Sequence, residues 1–160
     1  MNREVYVVGV IADTHGLLRP EVAACFAGVQ LILHAGDVGG RPILDALSAM
    51  APVEAVYGNV DDSHDPSLAR ERVVSVGGVT IHMRHGHELG QPTAARARAR
   101  YAGDVVIFGH THQAVVVRGV DGRMALNPGA AGPRRFNLRP SVARLTIAGG
   151  VAEAAIISLG

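Results

Sequence analysis

Apolar and polar positions divide the chain into two halves of different style. Val5 to Ala12 is an unbroken, largely β-branched apolar run, the pattern of a strand buried on both faces. Leu31 to Ala35 and Val53 to Tyr57 repeat it more briefly. Pro20 opens a helix over Glu21 to Phe26, and Pro42 opens another that runs to Met50 with Ile43, Leu44, Leu47 and Met50 on one face. Strand and helix therefore alternate, which predicts a parallel sheet with right-handed crossovers. The second half reads as hairpins. Arg72 to Val76 and Val79 to Arg84 flank Gly77-Gly78. Ala114 to Val120 and Arg123 to Leu126 flank Asp121-Gly122, and Val142 to Ala148 and Val151 to Ser158 flank Gly149-Gly150. A helix over Ala94 to Tyr101 and a strand over Val105 to Phe108 lie between the first two hairpins. The expected architecture is α/β: two mixed β-sheets packed together and flanked by helices.

The chain shows no repeat, linker or low-complexity stretch, so residues 1–160 are expected to form one domain. A hydrophobic share of 48% and a charged share of 18% exclude a disordered chain. No apolar run reaches the roughly 18 residues of a membrane helix. Met1 to Glu4 lead straight into a strand pattern, unlike a signal peptide, and a cytoplasmic protein is expected. The single cysteine, Cys25, excludes an internal disulfide framework and a thiolate metal cluster. It reads as a small buried residue of the first helix. The net charge of +1 comes entirely from arginine, with no lysine. Arg96, Arg98 and Arg100 are spread around a helix, with a solvated face the plain reading and an anion-steering patch the alternative. There is no tryptophan, and the Tyr and Phe residues are scattered. Nucleic acid is therefore not the expected partner.

Chemistry enters with five polar clusters, each just after a strand-like run. They are Asp13-Thr14-His15, Gly36-Asp37, Gly58-Asn59, His85-Gly86-His87 and Gly109-His110-Thr111-His112. In open α/β sheets, ligands bind outside the carboxyl ends of the strands, where all five fall. Each cluster alone reads as a turn; together they supply oxygen and nitrogen ligands for two metal ions, a set that points to phosphate-ester hydrolysis. Residues two apart on extended backbone face the same way. Asp13 and His15 are thus expected to grip one ion, and His110 and His112 to point at neighbouring ions. A carboxylate such as Asp37 can bridge two ions. Gly36, Gly58 and Gly109 are expected to permit sharp turns. The absence of sulfur ligands favours borderline or hard cations, with Mn²⁺, Fe²⁺, Co²⁺, Ni²⁺ and Zn²⁺ all fitting.

The ordered clusters resemble the calcineurin-like metallophosphoesterases. Asn127-Pro128-Gly129 and the short length resemble their small bacterial and archaeal YfcE-like branch. The resemblance covers roughly residues 5 to 145 and implies a four-layer α/β/β/α sandwich. It places Asp13, His15, Asp37 and His112 around one metal, and Asp37, Asn59, His85 and His110 around the other. His87 becomes a near neighbour of the ions, and Asp37, Asn59 and His87 are the expected catalytic residues. Two divalent ions, Mn²⁺ by preference, would hold a bridging hydroxide that attacks a small phosphodiester.

One departure follows Asn59. Many relatives carry a leaving-group histidine where this chain has Val60, followed by Asp61 and Asp62. His64 is a candidate substitute, with a mobile loop histidine the plainer reading. His34 reads as a core or supporting imidazole, and His82 as surface or half-buried. Arg134 and Arg135 lie in the long irregular stretch from Asn127 to Pro140. With Asn59 they are the candidate substrate contacts, against a solvent-facing loop. Three rival readings stand. One is a non-catalytic scaffold, as the similar retromer subunit suggests; the others are a phosphomonoesterase and a nuclease. A small phosphate ester is the expected partner, and a homo-oligomer is compatible with the exposed sheet faces.

Overall fold

In the computed structural model, residues 4–160 are described. Among these residues, ten strands form two five-stranded sheets, flanked by three α-helices. The first sheet contains β1 (Val5–Ile11), β2 (Leu31–His34), β3 (Val53–Ala55), β9 (Ser141–Ala148) and β10 (Val151–Ser158). Its order is β10-β9-β1-β2-β3, with β1, β2 and β3 parallel and β9 antiparallel to β1. The second contains β4 (Arg72–Val76), β5 (Val79–Met83), β6 (Val105–Ile107), β7 (Val115–Arg118) and β8 (Met124–Asn127) in the order β4-β5-β6-β8-β7. Here β5, β6 and β8 run parallel.

The helices are α1 (Glu21–Cys25), α2 (Arg41–Ser48) and α3 (Ala94–Arg100). Alternation along β1 explains its continuous apolar run. Val8, Val10 and Ala12 enter the core between the sheets, with Leu33, Ile81, Met83, Ile107, Leu126 and Leu145. Ile11 faces the other way, into a cluster with Val22, Phe26, Ile32 and Leu47 under α1 and α2. A smaller cluster of Ala97, Tyr101, Val106, Phe108 and Ala125 seats α3 on the second sheet. These contacts make the four layers α/β/β/α.

Several strands stop earlier than the apolar pattern predicts, because loop contacts take over the backbone. Beyond β3, Val56 bridges Ala69 instead of extending the ladder. Past β1 and β2, the pairing continues as loop hydrogen bonds: Asp13 N–H donates to the Gly36 carbonyl, and His15 N–H to that of Asp37 (2.9 and 3.0 Å). The loop carrying Asp37 is thus registered against the loop carrying Asp13 and His15. No helix among the described residues is long and apolar enough to cross a membrane.

Candidate metal centre

The carboxyl ends of β1, β2, β5 and β6 and the loop after β3 meet at one edge of the two sheets. There Asp13, His15 and His112 converge, and Asp37, His85 and His110 form a second group beside them; within each, the ligand atoms lie within 4.8 Å of one another. The Asp37 carboxylate lies between the groups, with Oδ2 3.3 Å from His85 Nε2 and 3.7 Å from His15 Nε2. Asn59 Oδ1 stands 3.2 Å from both His85 Nε2 and His110 Nδ1. Most of the carboxylate–imidazole separations, such as 3.9 Å from His15 Nε2 to Asp13 Oδ1, are too long for direct hydrogen bonds.

The convergence does not arise as extended backbone predicts. Asp13, His15, Asp37, His110 and His112 all have positive φ, between 48° and 76°. Left-handed backbone at five non-glycine residues carries a conformational cost and turns their side chains inward from loops rather than from strands. The loops are held there by hydrogen bonds. Thr14 Oγ1 donates to the Val38 carbonyl (2.7 Å) and lies 2.9 Å from His34 Nε2. Gly36 N–H donates to His34 Nδ1, which makes Nε2 the protonated nitrogen facing Thr14. His34 is fully buried, and that burial lowers its pKa to about 4, so it serves as a neutral tie between two ligand loops.

Of the glycines expected to make sharp turns, only Gly36 adopts positive φ. Gly58 and Gly109 are needed for space. A Cβ on Gly58 would lie 2.0 Å from Asp37 Oδ1, and one on Gly109 would lie 2.9 Å from Asp13 Oδ2.

Unpartnered atoms test whether a metal fits. Asp13 Oδ1, His15 Nε2 and His112 Nδ1 are buried without any hydrogen-bond partner. Asp13 Oδ1 and His15 Nε2 face each other at 3.9 Å, with His112 Nε2 3.7 Å from the same Oδ1, and such a group is a cost unless a cation occupies the space between them. Burial raises the Asp13 pKa to about 7, as expected of a carboxylate lacking a counter-charge. Burial also pushes the Asp37 carboxyl up, but the hydrogen bond and charge of His85 outweigh it, leaving a pKa of about 2. His85 is raised against its own burial by the same bond and by the Asp13 charge. Its Nδ1–H donates to the Ala35 carbonyl at 2.8 Å, which aims Nε2 into the site. Burial and then the charges of His15 and Arg135 lower His112 to about 4, the neutral form a ligand needs. These donors fit a pair of divalent cations.

The other expected residues divide. His87 belongs to neither group; its ring centroid is 5.3 Å from that of His85, and its Nδ1 is buried and unpartnered. Val60 is exposed, but its N–H donates to Asp37 Oδ1 at 3.0 Å. His64 is exposed and 3.5 Å from Asp62. His82 is half-buried between the Ala102 carbonyl and Glu71. Arg135 lines a cleft of ≈ 370 Å³ with His110 and His112, while Arg134 is exposed outside that lining.

Two residues escaped the sequence reading as contributors. Asp61 accepts hydrogen bonds from Val38, Gly39 and Gly58 N–H at 2.9–3.1 Å, clamping the loops that carry Asp37 and Asn59. The signal was its place two residues after Asn59. Buried Asn127 donates to the Gly109 carbonyl and to Thr111 Oγ1, holding the loop that carries His110 and His112.

Comparison with known proteins gives the family and the fold. Residues 7–150 match the calcineurin-like phosphoesterase superfamily domain. The chain is 38% identical to a probable metallophosphoesterase of Methanothermobacter thermautotrophicus, over 96% of this chain and 93% of that protein. It is 26% identical to a phosphodiesterase of Methanocaldococcus jannaschii, over 76% of this chain and 82% of that protein. Among solved structures, Vacuolar Protein Sorting 29 of Cryptosporidium parvum shares the fold, with a TM-score of 0.80, 20% identity and 98% of each chain covered.

Proposed function

The chain belongs to the calcineurin-like phosphoesterase superfamily, and from that premise we propose that it is a two-metal phosphodiesterase acting on small esters. The observation that carries the proposal is the pair of unpartnered buried atoms Asp13 Oδ1 and His15 Nε2, with His112 Nε2 3.7 Å from Asp13 Oδ1, beside the second group of Asp37, His85 and His110. Calcineurin-like phosphoesterases use divalent metals. Asp13, His15, Asp37 and His112 would hold one cation, and Asp37, Asn59, His85 and His110 the other. Bound there, the cations would supply Lewis acidity toward the phosphate and a water of lowered pKa. Mn²⁺ suits the oxygen and nitrogen donors.

The protein's own part is positioning. Val60 N–H fixes one Asp37 oxygen, which leaves Oδ2 aimed between the two groups. His85 is oriented by Ala35, and Asn59 faces both His85 and His110. Arg135 at the cleft offers a guanidinium to a phosphate oxygen. With valine at position 60, no loop histidine stands beside Asn59 to protonate a leaving group. The site therefore favours esters whose leaving group departs as a stable anion. The phosphodiesterase of M. jannaschii supports the diester reading.

The test is hydrolysis of bis-p-nitrophenyl phosphate by metal-stripped protein titrated with Mn²⁺, beside Asp37→Ala. Metal-dependent turnover absent from the variant is expected. Metal binding without turnover would leave the scaffold reading, and a higher kcat/KM on p-nitrophenyl phosphate would replace the diester by a monoester.

A further inference from the structure

Among the described residues, seven non-glycine positions have positive φ. Five are candidate metal ligands. The other two are Phe136, which lines the cleft beside His110 and His112, and its neighbour Asn137. Leu138 N–H donates to the Arg135 carbonyl at 2.8 Å, closing a turn whose two central residues have φ of 53° and 61°. This is the form in which both central residues are left-handed, which suits Asn and Gly. Asn137 fits that rule; Phe136 breaks it.

Packing does not repay the misfit. Phe26 and Phe108 are buried at 2% and 1% exposure, whereas Phe136 is 89% exposed. Neither turn chemistry nor the core calls for an aromatic ring at this place. Its surroundings suggest a use. The cleft of ≈ 370 Å³ is lined by His110 and His112, by Arg135 and Phe136, and by Gln91 and Gln113. Arg135 is close enough for its charge to act on both His15 and His112. A ligand phosphate at the metals would thus have a cation beside it, and a planar group attached to that phosphate would have a ring face to stack on. The glutamine amides offer paired donors and acceptors of the kind that read a base edge.

We infer that this cleft accepts the base of a nucleoside phosphodiester, with Phe136 as stacking platform and Arg135 beside the phosphate. The inference rests on the phosphodiesterase reading for its chemistry, but the cleft can be tested without turnover.

Two measurements separate them. Calorimetry compares adenosine 5′-monophosphate with ribose 5-phosphate on Mn²⁺-loaded wild type, Phe136→Ala and Phe136→Tyr. The nucleotide is expected to bind about tenfold tighter than the sugar phosphate, in line with base–aromatic stacking. The preference should vanish in F136A and persist in F136Y. Kinetics then compares the p-nitrophenyl ester of thymidine 5′-monophosphate with methyl p-nitrophenyl phosphate. The nucleoside ester should show the lower KM, and F136A should remove that advantage. If neither ester turns over, the phosphodiesterase reading fails while calorimetry still decides the cleft. Equal binding of nucleotide and sugar phosphate, or a preference that survives F136A, overturns the inference. So does a concentration-dependent dimer lost in F136A, which would assign the ring to a second copy of the chain.

Discussion

Left-handed backbone at non-glycine residues occurs at the metal centre and at the Arg135–Leu138 turn, and burial separates the two. Asp13 and Asp37 are buried, and their loops are tied by Asp61, Thr14, His34 and the Asp13–Gly36 and His15–Asp37 backbone bonds. Phe136 has one turn hydrogen bond beneath it and almost no cover. Strain at the first place is held by many contacts, so removing a contact should cost both geometry and metal. Strain at the second is held by little, so relieving it should cost only ligand. Conformational strain persists where the surroundings over-determine it, as at the buried loops; at the exposed turn the proposed stacking role would account for it.

The largest expected effect tests the buried region. Asp37→Ala removes the carboxylate between the two groups, and turnover of bis-p-nitrophenyl phosphate should fall by several kcal/mol of transition-state stabilisation, on the order of 10³-fold. Retained metal-dependent turnover would mean that Asp37 does not join the two groups.

Asp61→Ala comes next. It strips acceptors from Val38, Gly39 and Gly58 N–H while leaving every candidate ligand in place. Metal affinity measured by calorimetry should fall about 10- to 100-fold, the usual cost of losing an outer partner of a metal ligand. Asp61→Asn, which keeps one acceptor oxygen, should recover part of it. Unchanged affinity in the alanine variant would show that the ligand loops hold themselves.

The pH dependence of metal-induced stabilisation follows. Metal-free Asp13 has a folded pKa of about 7, raised by burial from an unfolded value of about 4. A raised folded pKa contributes stability that is complete below the unfolded value and is lost as pH rises through the folded one. Asp13 therefore disfavours the metal-free fold increasingly from about pH 4 to about pH 7. His112 acts in the opposite sense, since its depressed pKa costs stability as pH falls below about 6.5. Metal binding would displace protons from Asp13 and from His85, whose pKa is raised, so affinity should rise with pH. The gain in Tm on adding Mn²⁺ should be small at pH 5 and larger at pH 8. An equal gain at both would remove Asp13 and His85 from the site.

The smallest effect sharpens the comparison at the exposed turn. Phe136→Asn replaces a residue unsuited to left-handed backbone by one suited to it. It should stabilise the fold by about 1 kcal/mol, raising Tm by roughly 2–4 °C. A fall in Tm for Phe136→Asn would show that the ring packs against something.

Both sheets and the placement of the ligand clusters at strand ends were legible in the pattern. Val8 and Val10 face one core and Ile11 the other, and alternation with both faces apolar leaves little choice but a central strand. The chemistry was also legible, because Asp-x-His, Gly-Asp, Gly-Asn and His-x-His set donor types that no refolding changes. What the pattern misjudged was how the donors meet. Extended backbone at Asp13 and His15 was the natural reading, yet both are left-handed, because the neighbouring loop captures their N–H groups. The pattern at Gly58 predicts a turn former, whereas its role is to let Asp37 approach. Those facts depend on partners 20 or more residues away.

The sequence alone therefore determined the layers of the fold and the donor atoms at the site, since these follow from periodicity and residue chemistry, which are local. Only the tertiary structure decided that Asp61 clamps two ligand loops, that Asn127 steadies His110 and His112, and that Phe136 stands exposed beside Arg135. Hydrogen bonds and burial between distant segments are properties of the closed fold, and no single stretch of chain carries them.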